Sequence, residues 1–227
     1  MSRFVDLSHV VHDGMPGIRL VRRDGTLQEG TARIRTWLGR EAMLDILEGQ
    51  AAFEVTELSL PTPIGTYMDS PFSRFAEGRD ISELTLDELI LPGLVLDLRG
   101  HPIREPVPAS ALPADTDLKG AAVLFNFGWD RHWGTPTYDD YPYISIELAA
   151  QAADRGAKLL GFDTGNADGP GVLAHPVHTD MLARDVLIVE NLTKLDSVLG
   201  SSFRFFAVPI KGRELASMSV RAFAEIL

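Results

Sequence analysis

Residues 61–73 concentrate side chains that could do chemistry. They include Thr66, Tyr67, Asp69 and Ser73, set between prolines and a glycine. Proline fixes φ, and a residue before proline is pushed towards extended geometry, so this backbone is expected to be stiff. A stiff loop after a strand is a good place to hold a carboxylate, a phenol and hydroxyls for acid–base work or metal binding. We therefore expect a functional site in this loop.

The same residues resemble the signature of the cyclase family, which includes kynurenine formamidase, isatin hydrolase and trans-dienelactone hydrolase. That signature reads His-x-Gly-Thr-His-x-Asp-x-Pro-x-His. The chain keeps its four other defined residues, Gly65, Thr66, Asp69 and Pro71. The three histidines are replaced by Pro63, Tyr67 and Ser73. The frame of the signature is therefore present without its imidazoles.

Five further segments resemble family motifs in the same order along the chain. Residues 6–9 read Asp-Leu-Ser-His, and residues 127–130 resemble a Thr-Gly-Trp segment. Residues 161–164 resemble Gly-x-Asp-Thr, His178 with Leu182 resembles Val-His-x-x-x-Leu, and residues 189–192 read Val-Glu-Asn-Leu. The resemblance thus extends over nearly the whole chain and implies the family's swivelling β/β/α fold with a barrel-like sheet.

The resemblance also implies which residues could bind a metal. Two-metal members hold one ion with two signature histidines, the Asp and a late Glu; here only Asp69 and Glu190 remain of that set. They hold the other ion with the Asp, the third histidine, a later His and the same Glu. Asp69, His178 and Glu190 remain of that second set, with Ser73 in place of the histidine. Two carboxylates and one imidazole can bind a divalent ion such as Zn or Mn. One ion or none are the two alternatives left open.

The catalytic candidates are Tyr67, Asp69, His178 and Glu190. Tyr67 could donate to a substrate carbonyl or act as a general acid, and it could equally fill the space of an absent ion. Glu190 ends an apolar strand, where a carboxylate is costly to bury without a partner. The candidates for contact with substrate are Thr66, Ser73, Trp129, His132 and Tyr141. Two of them, His132 and Tyr141, belong to an aromatic, turn-rich segment that could line a pocket or form a surface loop with buried aromatic residues.

Three functions are compatible with these residues. The first is a hydrolase of a cyclic or formylated amide, or of a lactone, with a reduced metal site or none. The second is a metal-free enzyme of cyclisation, dehydration or isomerisation that uses Tyr, Asp and Glu as acids and bases. The third is a ligand-binding relative without catalysis. The chain has no Gly-x-Ser-x-Gly elbow, Walker loop or Gly-x-Gly-x-x-Gly turn, which disfavours other common catalytic classes.

The composition and charge of the chain limit the kinds of partner that it could bind. The formal net charge of −11 argues against nucleic acid and anionic membranes, which need clustered Lys and Arg. No apolar run approaches the ~18 residues of a membrane span, and the first residues lack the apolar core of a signal peptide. The absence of cysteine fits a reducing cytoplasm. We expect a cytoplasmic protein with a small-molecule substrate, and the resemblance implies a homo-oligomer, either a dimer or a tetramer.

The pattern of apolar residues predicts a single strand-rich α/β domain over residues 1–227. Strands are expected at 4–9, 34–38, 53–60, 94–98, 121–125, 158–163, 186–190 and 203–210. Residues 145–155 predict a helix, because a Ser N-cap and Glu147 precede an Ala-rich body and Gly156 follows it. A short helix is expected at 85–90, ended by Pro92-Gly93, and 41–47 could be strand or helix. On a helix His175 and His178 would share one face, but Pro176 between them makes a regular helix doubtful there.

Overall fold

The computed structural model describes residues 3–227. Its helices are α1 (Arg40–Ile46), α2 (Leu86–Leu89), α3 (Ile146–Asp154) and α4 (Pro176–Ala183). Its strands are β1 (Phe4–Asp6), β2 (Pro16–Val21), β3 (Leu27–Thr31), β4 (Arg33–Leu38), β5 (Val55–Ser59), β6 (Tyr67–Asp69), β7 (Ile90–Asp97), β8 (Pro106–Val107), β9 (Ala122–Asn126), β10 (Tyr143–Ile144), β11 (Leu159–Phe162), β12 (Leu187–Glu190), β13 (Phe203–Phe206), β14 (Ser217–Ser219) and β15 (Phe223–Ile226). Short 3-10 helices lie at Pro71–Ser73, Ile81–Glu83, Ala109–Ala111, Trp129–His132, Pro136–Asp139 and Leu195–Val198.

The chain forms two compact units. The larger unit contains the described residues up to His9 together with residues 66–227, and the smaller contains residues 10–65. The single domain over 1–227 therefore stays a prediction. Among the described residues, no helix is long and apolar enough to cross a membrane.

A nine-stranded sheet organises the larger unit, in the order β1-β15-β13-β7-β9-β11-β12-β6-β14. The central strands β7, β9, β11 and β12 are parallel. Antiparallel strands flank them, with β13 beside β7 and β6 beside β12. This curled sheet confirms the prediction of a strand-rich α/β fold.

Side chains alternate between two cores on the two faces of this sheet. On β9, Val123 and Phe125 belong to one core, which also receives the apolar sides of α3 and α4. Ala122 and Leu124 belong to the other, together with β13. All five residues of β9 are buried, as expected for a parallel strand that is covered on both faces.

Helix α3 forms as its sequence predicts. Ser145 precedes it and its side chain accepts from the Leu148 N–H at 3.1 Å. Gly156 follows at φ 93°, a conformation that glycine adopts at little steric cost.

Helix α4 corrects one expectation. Pro176 had indicated that a regular helix around His175 and His178 was doubtful, yet the helix begins at Pro176 itself. Proline is favoured at the first helical position, because the N–H that it lacks would have no intrahelical partner there. The helix carries His178 on its buried side.

Two other expectations about local structure were wrong. The loop at 61–73 contains a three-residue strand, β6, which pairs with β12 and β14. Pro92 and Gly93 do not end the short helix; they lie inside β7, which begins at Ile90. Gly93 is opposite Phe203 of β13, and the lack of a side chain makes room for its ring.

The smaller unit is built from two antiparallel ribbons and one helix. Strands β2 and β3 form one ribbon, and β4 and β5 form the other. The ambiguous residues 41–47 form most of α1. The strand predicted at 34–38 is confirmed, and it starts one residue earlier.

Candidate active site

The site begins at the pairing of β6 with β12. Tyr67 lies opposite Glu190, and Asp69 lies opposite Ile188. Because side chains alternate along a strand, Tyr67 and Asp69 share one face of β6. Met68 between them packs into the core on the other face. Non-local pairing therefore gathers the phenol and both carboxylates on the face of the sheet that also carries α4.

Glu190 is fully buried, and both of its carboxylate oxygens have partners. Oε1 accepts from the Ala167 N–H at 2.6 Å and lies 3.2 Å from His178 Nε2. Oε2 accepts from the Tyr67 hydroxyl. A buried carboxylate is costly unless it is hydrogen-bonded and paired, and these groups meet that requirement.

His178 connects the two predicted carboxylates with a third. Its Nε2 faces Glu190 and lies 3.7 Å from Asp69 Oδ2. Its Nδ1 lies 2.7 Å from Asp168 Oδ2. Burial opposes the charged imidazolium, but the charge of Glu190 and the hydrogen bonds to the carboxylates raise the pKa of His178 well above its ordinary value. Without an ion, the imidazole is therefore expected to carry a proton on each nitrogen.

Asp69 is nearly buried and its side chain is 12% exposed. Burial raises its pKa above the ordinary value, and the charge of Glu190 adds to that rise. The hydrogen bond and charge of His178 oppose it. The site thus concentrates negative charge around one imidazole, which is an environment that attracts a cation.

Asp168 is the main site residue that the sequence did not reveal. It is 1% exposed, and it accepts from the backbone N–H groups of Val177 at 2.8 Å and His178 at 3.1 Å. These are N–H groups of the first turn of α4, which have no partner inside the helix. Asp168 therefore holds both the start of α4 and the ring of His178. The available sequence signal was Pro176, since proline is favoured at the first position of a helix. The next N–H groups of a helix need acceptors, but the sequence does not show which residue supplies them.

The residues present fit one metal ion. One ligand atom each from Asp69, His178 and Glu190 lie within 4.8 Å of one another. The contact with Asp168 places the Nδ1 proton of a neutral His178, which leaves the Nε2 lone pair directed at the two carboxylates. A second group, Asp168 with His175 and His178, is equally compact, but its Asp168–His178 hydrogen bond occupies the Nδ1 atom that an ion would need.

Tyr67 sits beside this group as the donor to Glu190. Burial raises its pKa well above the ordinary value, and the charges of Glu190 and Asp69 raise it further. Without an ion the phenol therefore keeps its proton and donates a hydrogen bond to Glu190. The two catalytic roles expected from the sequence, donation to a substrate carbonyl and general acid, stay predictions.

The structure places the predicted substrate contacts in different environments. Thr66 is buried, where it donates to the Asn191 carbonyl at 2.6 Å and accepts from the His9 N–H at 3.0 Å. Trp129 lies in the core, and its indole N–H donates to the Tyr138 carbonyl at 3.1 Å. In both cases the side chain forms hydrogen bonds with backbone groups of another segment of the fold.

Tyr141, His132 and Ser73 occupy more accessible positions. Tyr141 is half-buried; burial raises its pKa, and the charge of Glu190 raises it further, which places the phenol within electrostatic reach of the site. His132 packs against Trp129 with 4.5 Å between ring centroids and accepts from the Arg131 side chain at 3.0 Å. Ser73 ends the 3-10 helix that follows β6. Of these three, Tyr141 is the one that the electrostatics connect with Glu190.

Two further groups near the site were not anticipated. The His9 ring stacks on Trp133 at 4.0 Å, and among the described residues its buried Nε2 has no hydrogen-bond partner. Burial lowers the pKa of His9 to about 4. Asp163 accepts from the backbone N–H groups of Phe127 at 3.0 Å and Trp129 at 3.1 Å, and burial raises its pKa to about 7.

Comparison with known proteins matches this chain at the level of family and fold. The family model Cyclase matches residues 5–169. Kynurenine formamidase of Erythrobacter litoralis is 28% identical over 162 residues, which cover 69% of this chain and 70% of that protein. Kynurenine formamidase of Delftia acidovorans is 26% identical over 174 residues, which cover 74% and 78%.

Solved structures share the fold over almost the full length. An isatin hydrolase bound to the product analogue thioisatinate superimposes with a TM-score of 0.83 at 17% identity, covering 99% of this chain and 92% of that one. Isatin hydrolase A from Ralstonia solanacearum gives a TM-score of 0.83 at 20% identity, covering 97% and 90%. The fold implied by the sequence motifs is thereby confirmed.

Proposed function

The chain belongs to the cyclase family, and from this premise we propose that it is a hydrolase of a small cyclic or formylated amide, or of a lactone. The observation that carries the proposal is the convergence of Asp69, His178 Nε2 and Glu190 on one buried point, with Asp168 behind the imidazole. The relatives and structural neighbours include a formamidase and hydrolases of isatin, and their names supply the class of substrate.

Asp69, His178 and Glu190 would hold a single divalent ion, with Zn and Mn as the first candidates. Such an ion would polarise the carbonyl of the scissile bond as a Lewis acid. His178 would contribute Nε2 in the tautomer that Asp168 selects, and the two carboxylates would offset the charge of the ion.

The residues of the chain would also move the proton that hydrolysis requires. Attack of water on the carbonyl carbon forms a C–O bond, and one carboxylate, Asp69 or Glu190, takes the proton from the water. Cleavage then breaks the C–N bond of an amide or the C–O bond of a lactone. The same carboxylate returns the proton to the leaving nitrogen or oxygen. Asp69 is the better placed of the two for this step, because both oxygens of Glu190 already have partners.

One observation favours a metal-free enzyme as the second candidate. The carboxylate of Glu190 has protein partners on both oxygens, from Ala167, Tyr67 and His178. These protein contacts satisfy the carboxylate of Glu190 without an ion. Tyr67, Asp69 and Glu190 would then suffice as acids and bases for cyclisation, dehydration or isomerisation. A non-catalytic ligand-binding role would use the same residues.

The surface of the smaller unit supports the proposal of a homo-oligomer. Residues 10–65 hold 11 of the 19 exposed large apolar side chains of the described chain, including Val21 (72% exposed), Trp37 (65%) and Ile46 (60%). Six arginines and eight acids give this unit a charge of −2, so most of the total of −11 lies elsewhere. Two copies could meet through this nearly neutral apolar surface without strong charge repulsion. We propose a cytoplasmic dimer or tetramer; sedimentation of the wild type beside Trp37→Glu tests the assembly.

Metal content and hydrolysis test the proposed function together. Protein purified without chelators would be assayed for bound metal and for hydrolysis of formanilide, isatin and a simple lactone, beside Glu190→Gln and the exposed control Glu147→Gln. We expect about one ion per chain and hydrolysis of at least one substrate, both lost in Glu190→Gln only. Hydrolysis that is unchanged in Glu190→Gln would contradict the assignment of the site. Absence of bound metal, even after Zn and Mn are added in excess, would overturn the metal-dependent form of the proposal.

A further inference from the structure

The Tyr67 hydroxyl contacts one of the candidate metal ligands, Glu190, directly. It donates to Glu190 Oε2, while the other oxygen of the same carboxylate faces His178 Nε2 at 3.2 Å. The backbone register explains this contact, since Tyr67 is the cross-strand partner of Glu190 and shares a face of β6 with Asp69. The phenol oxygen is thus at the edge of the group formed by Asp69, His178 and Glu190.

Tyr67 also stands at an informative position in the signature. The family pattern has a histidine there, and this chain has a phenol. A phenol can bind an ion only after losing its proton, and it then supplies an anionic oxygen in place of a neutral nitrogen. Replacement of histidine by tyrosine therefore keeps a donor at the position and changes its charge and hardness.

We propose that Tyr67 is a fourth protein ligand, so that the ion is held by Tyr67, Asp69, His178 and Glu190. The inference deepens the proposed function, because it rests on the same ion site. Binding releases the phenolic proton to solvent, and the ion replaces Glu190 as the partner of the phenol oxygen. Three anionic oxygens and one neutral imidazole are also suitable ligands for Fe³⁺, which therefore serves as a spectroscopic probe of this ligand set.

The competing role of Tyr67 is a hydrogen-bond donor that stays protonated beside the ion. The two roles predict different spectra. A phenolate bound to Fe³⁺ gives a charge-transfer absorption in the visible range, whereas a protonated tyrosine next to a bound ion does not. The readout is therefore independent of catalytic activity.

The experiment loads chelator-treated protein with Fe³⁺ supplied as its nitrilotriacetate complex. The chain has four tyrosines, so four Tyr→Phe variants identify the source of any band. We expect one iron per chain and a visible charge-transfer band in the wild type and in Tyr138→Phe, Tyr141→Phe and Tyr143→Phe. We expect Tyr67→Phe to lose the band. If Tyr67→Phe does not fold, retention of the band in the other three variants, with tyrosinate modes in the resonance Raman spectrum of the wild type, identifies Tyr67 by elimination.

Three results would overturn the proposal: iron bound without a visible band, a band that persists in Tyr67→Phe, or no iron bound by the wild type. These outcomes are separable from failure of the proposed function. A band that depends on Tyr67 without hydrolysis of any amide or lactone would refute the hydrolase and leave the ligand set intact. Hydrolysis by a Zn-loaded enzyme that shows no iron band would do the reverse.

Discussion

Asp168→Asn is the sharpest test of how the site is held. The carboxylate accepts from three N–H groups, Val177 N at 2.8 Å, His178 N at 3.1 Å and His178 Nδ1 at 2.7 Å. An amide has one oxygen and one NH₂ group, so in either orientation the NH₂ group faces at least one of these donors. The substitution keeps the size of the side chain and removes one acceptor.

Two effects are expected, a loss of folding stability and a loss of metal affinity. A buried donor left without a partner costs about 1–3 kcal/mol, so the free energy of unfolding should fall by that amount. Loss of the partner that orients a metal-binding histidine typically weakens metal affinity about 10–100-fold, and each tenfold corresponds to about 1.4 kcal/mol. The loss of affinity should exceed any effect of a distant substitution, because the variant lacks the carboxylate that orients the ring of His178 and hence its Nε2 lone pair.

Calorimetric titration with Zn²⁺ or Mn²⁺ measures the affinity, and nitrogen NMR of the imidazole reports its tautomer. Asp115→Asn makes the same chemical change on an exposed loop, and it should leave affinity, tautomer and unfolding unchanged. If Asp168→Asn binds the ion as tightly as the wild type and keeps the Nδ1-protonated tautomer, then Asp168 does not position His178, and our account of the site is wrong.

Three further outcomes follow from single contacts. Burial lowers the pKa of His9 from 6.5 to about 4, so in that window only the unfolded chain takes up the proton, and stability is lost as the pH falls. His9→Phe keeps the stack on Trp133 and should remove about 1–2 kcal/mol of this acid sensitivity, after allowance for partial exposure; urea unfolding between pH 7 and pH 4 measures it. Thr66→Val removes the hydrogen bonds of the hydroxyl with the His9 N–H and the Asn191 carbonyl and should lower the free energy of unfolding by about 1–3 kcal/mol with metal affinity unchanged; lost hydrolysis at unchanged stability would instead make Thr66 a substrate contact. Gly93→Ala would place a methyl group 2.0 Å from the Phe203 ring, and overpacking of this kind costs about 1–3 kcal/mol; a thermal midpoint equal to that of the wild type would refute the tight packing.

The sequence predicted elements whose signals are local. Helix α3 has its cap, its acid in the first turn and its terminal glycine within residues 145–156, and all three act within one turn of the helix. Parallel strands such as β9 are continuous apolar runs, which identify themselves without knowledge of their neighbours. Glu190 was recognisable because a charged residue at the end of such a run needs partners.

The sequence did not predict features that depend on distant partners. Strand β6 is three residues long and flanked by prolines, so the pattern indicates a loop, and only pairing with β12 and β14 makes it a strand. Asp168 precedes the N–H groups it binds by nine and ten residues, across a segment rich in glycine and proline. Pro176 was misinterpreted because proline ends a helix from within but begins one at its first position.

The resemblance located Asp69, His178 and Glu190, which the structure brings together, but it could not assign roles to Thr66 and Trp129. Both belong to motifs of the family, and both are engaged with backbone groups inside the fold. A family motif identifies a position as important. The contacts of the side chain at that position decide whether it is important for catalysis or for the fold.

The pairing of β6 with β12 has a consequence for how the protein folds. Tyr67 and Glu190 are separated by 123 residues, and β14, the outer neighbour of β6, comes later still in the chain. Contacts of such high sequence separation require closure of a long loop and are slow to form. A nascent chain therefore contains Tyr67 and Asp69 long before Glu190 has been synthesised. Until then it lacks the complete set of ligands and cannot hold the ion. An ion that binds only after this closure stabilises the native state without helping the chain to reach it, so its presence should slow unfolding and leave the rate of folding unchanged.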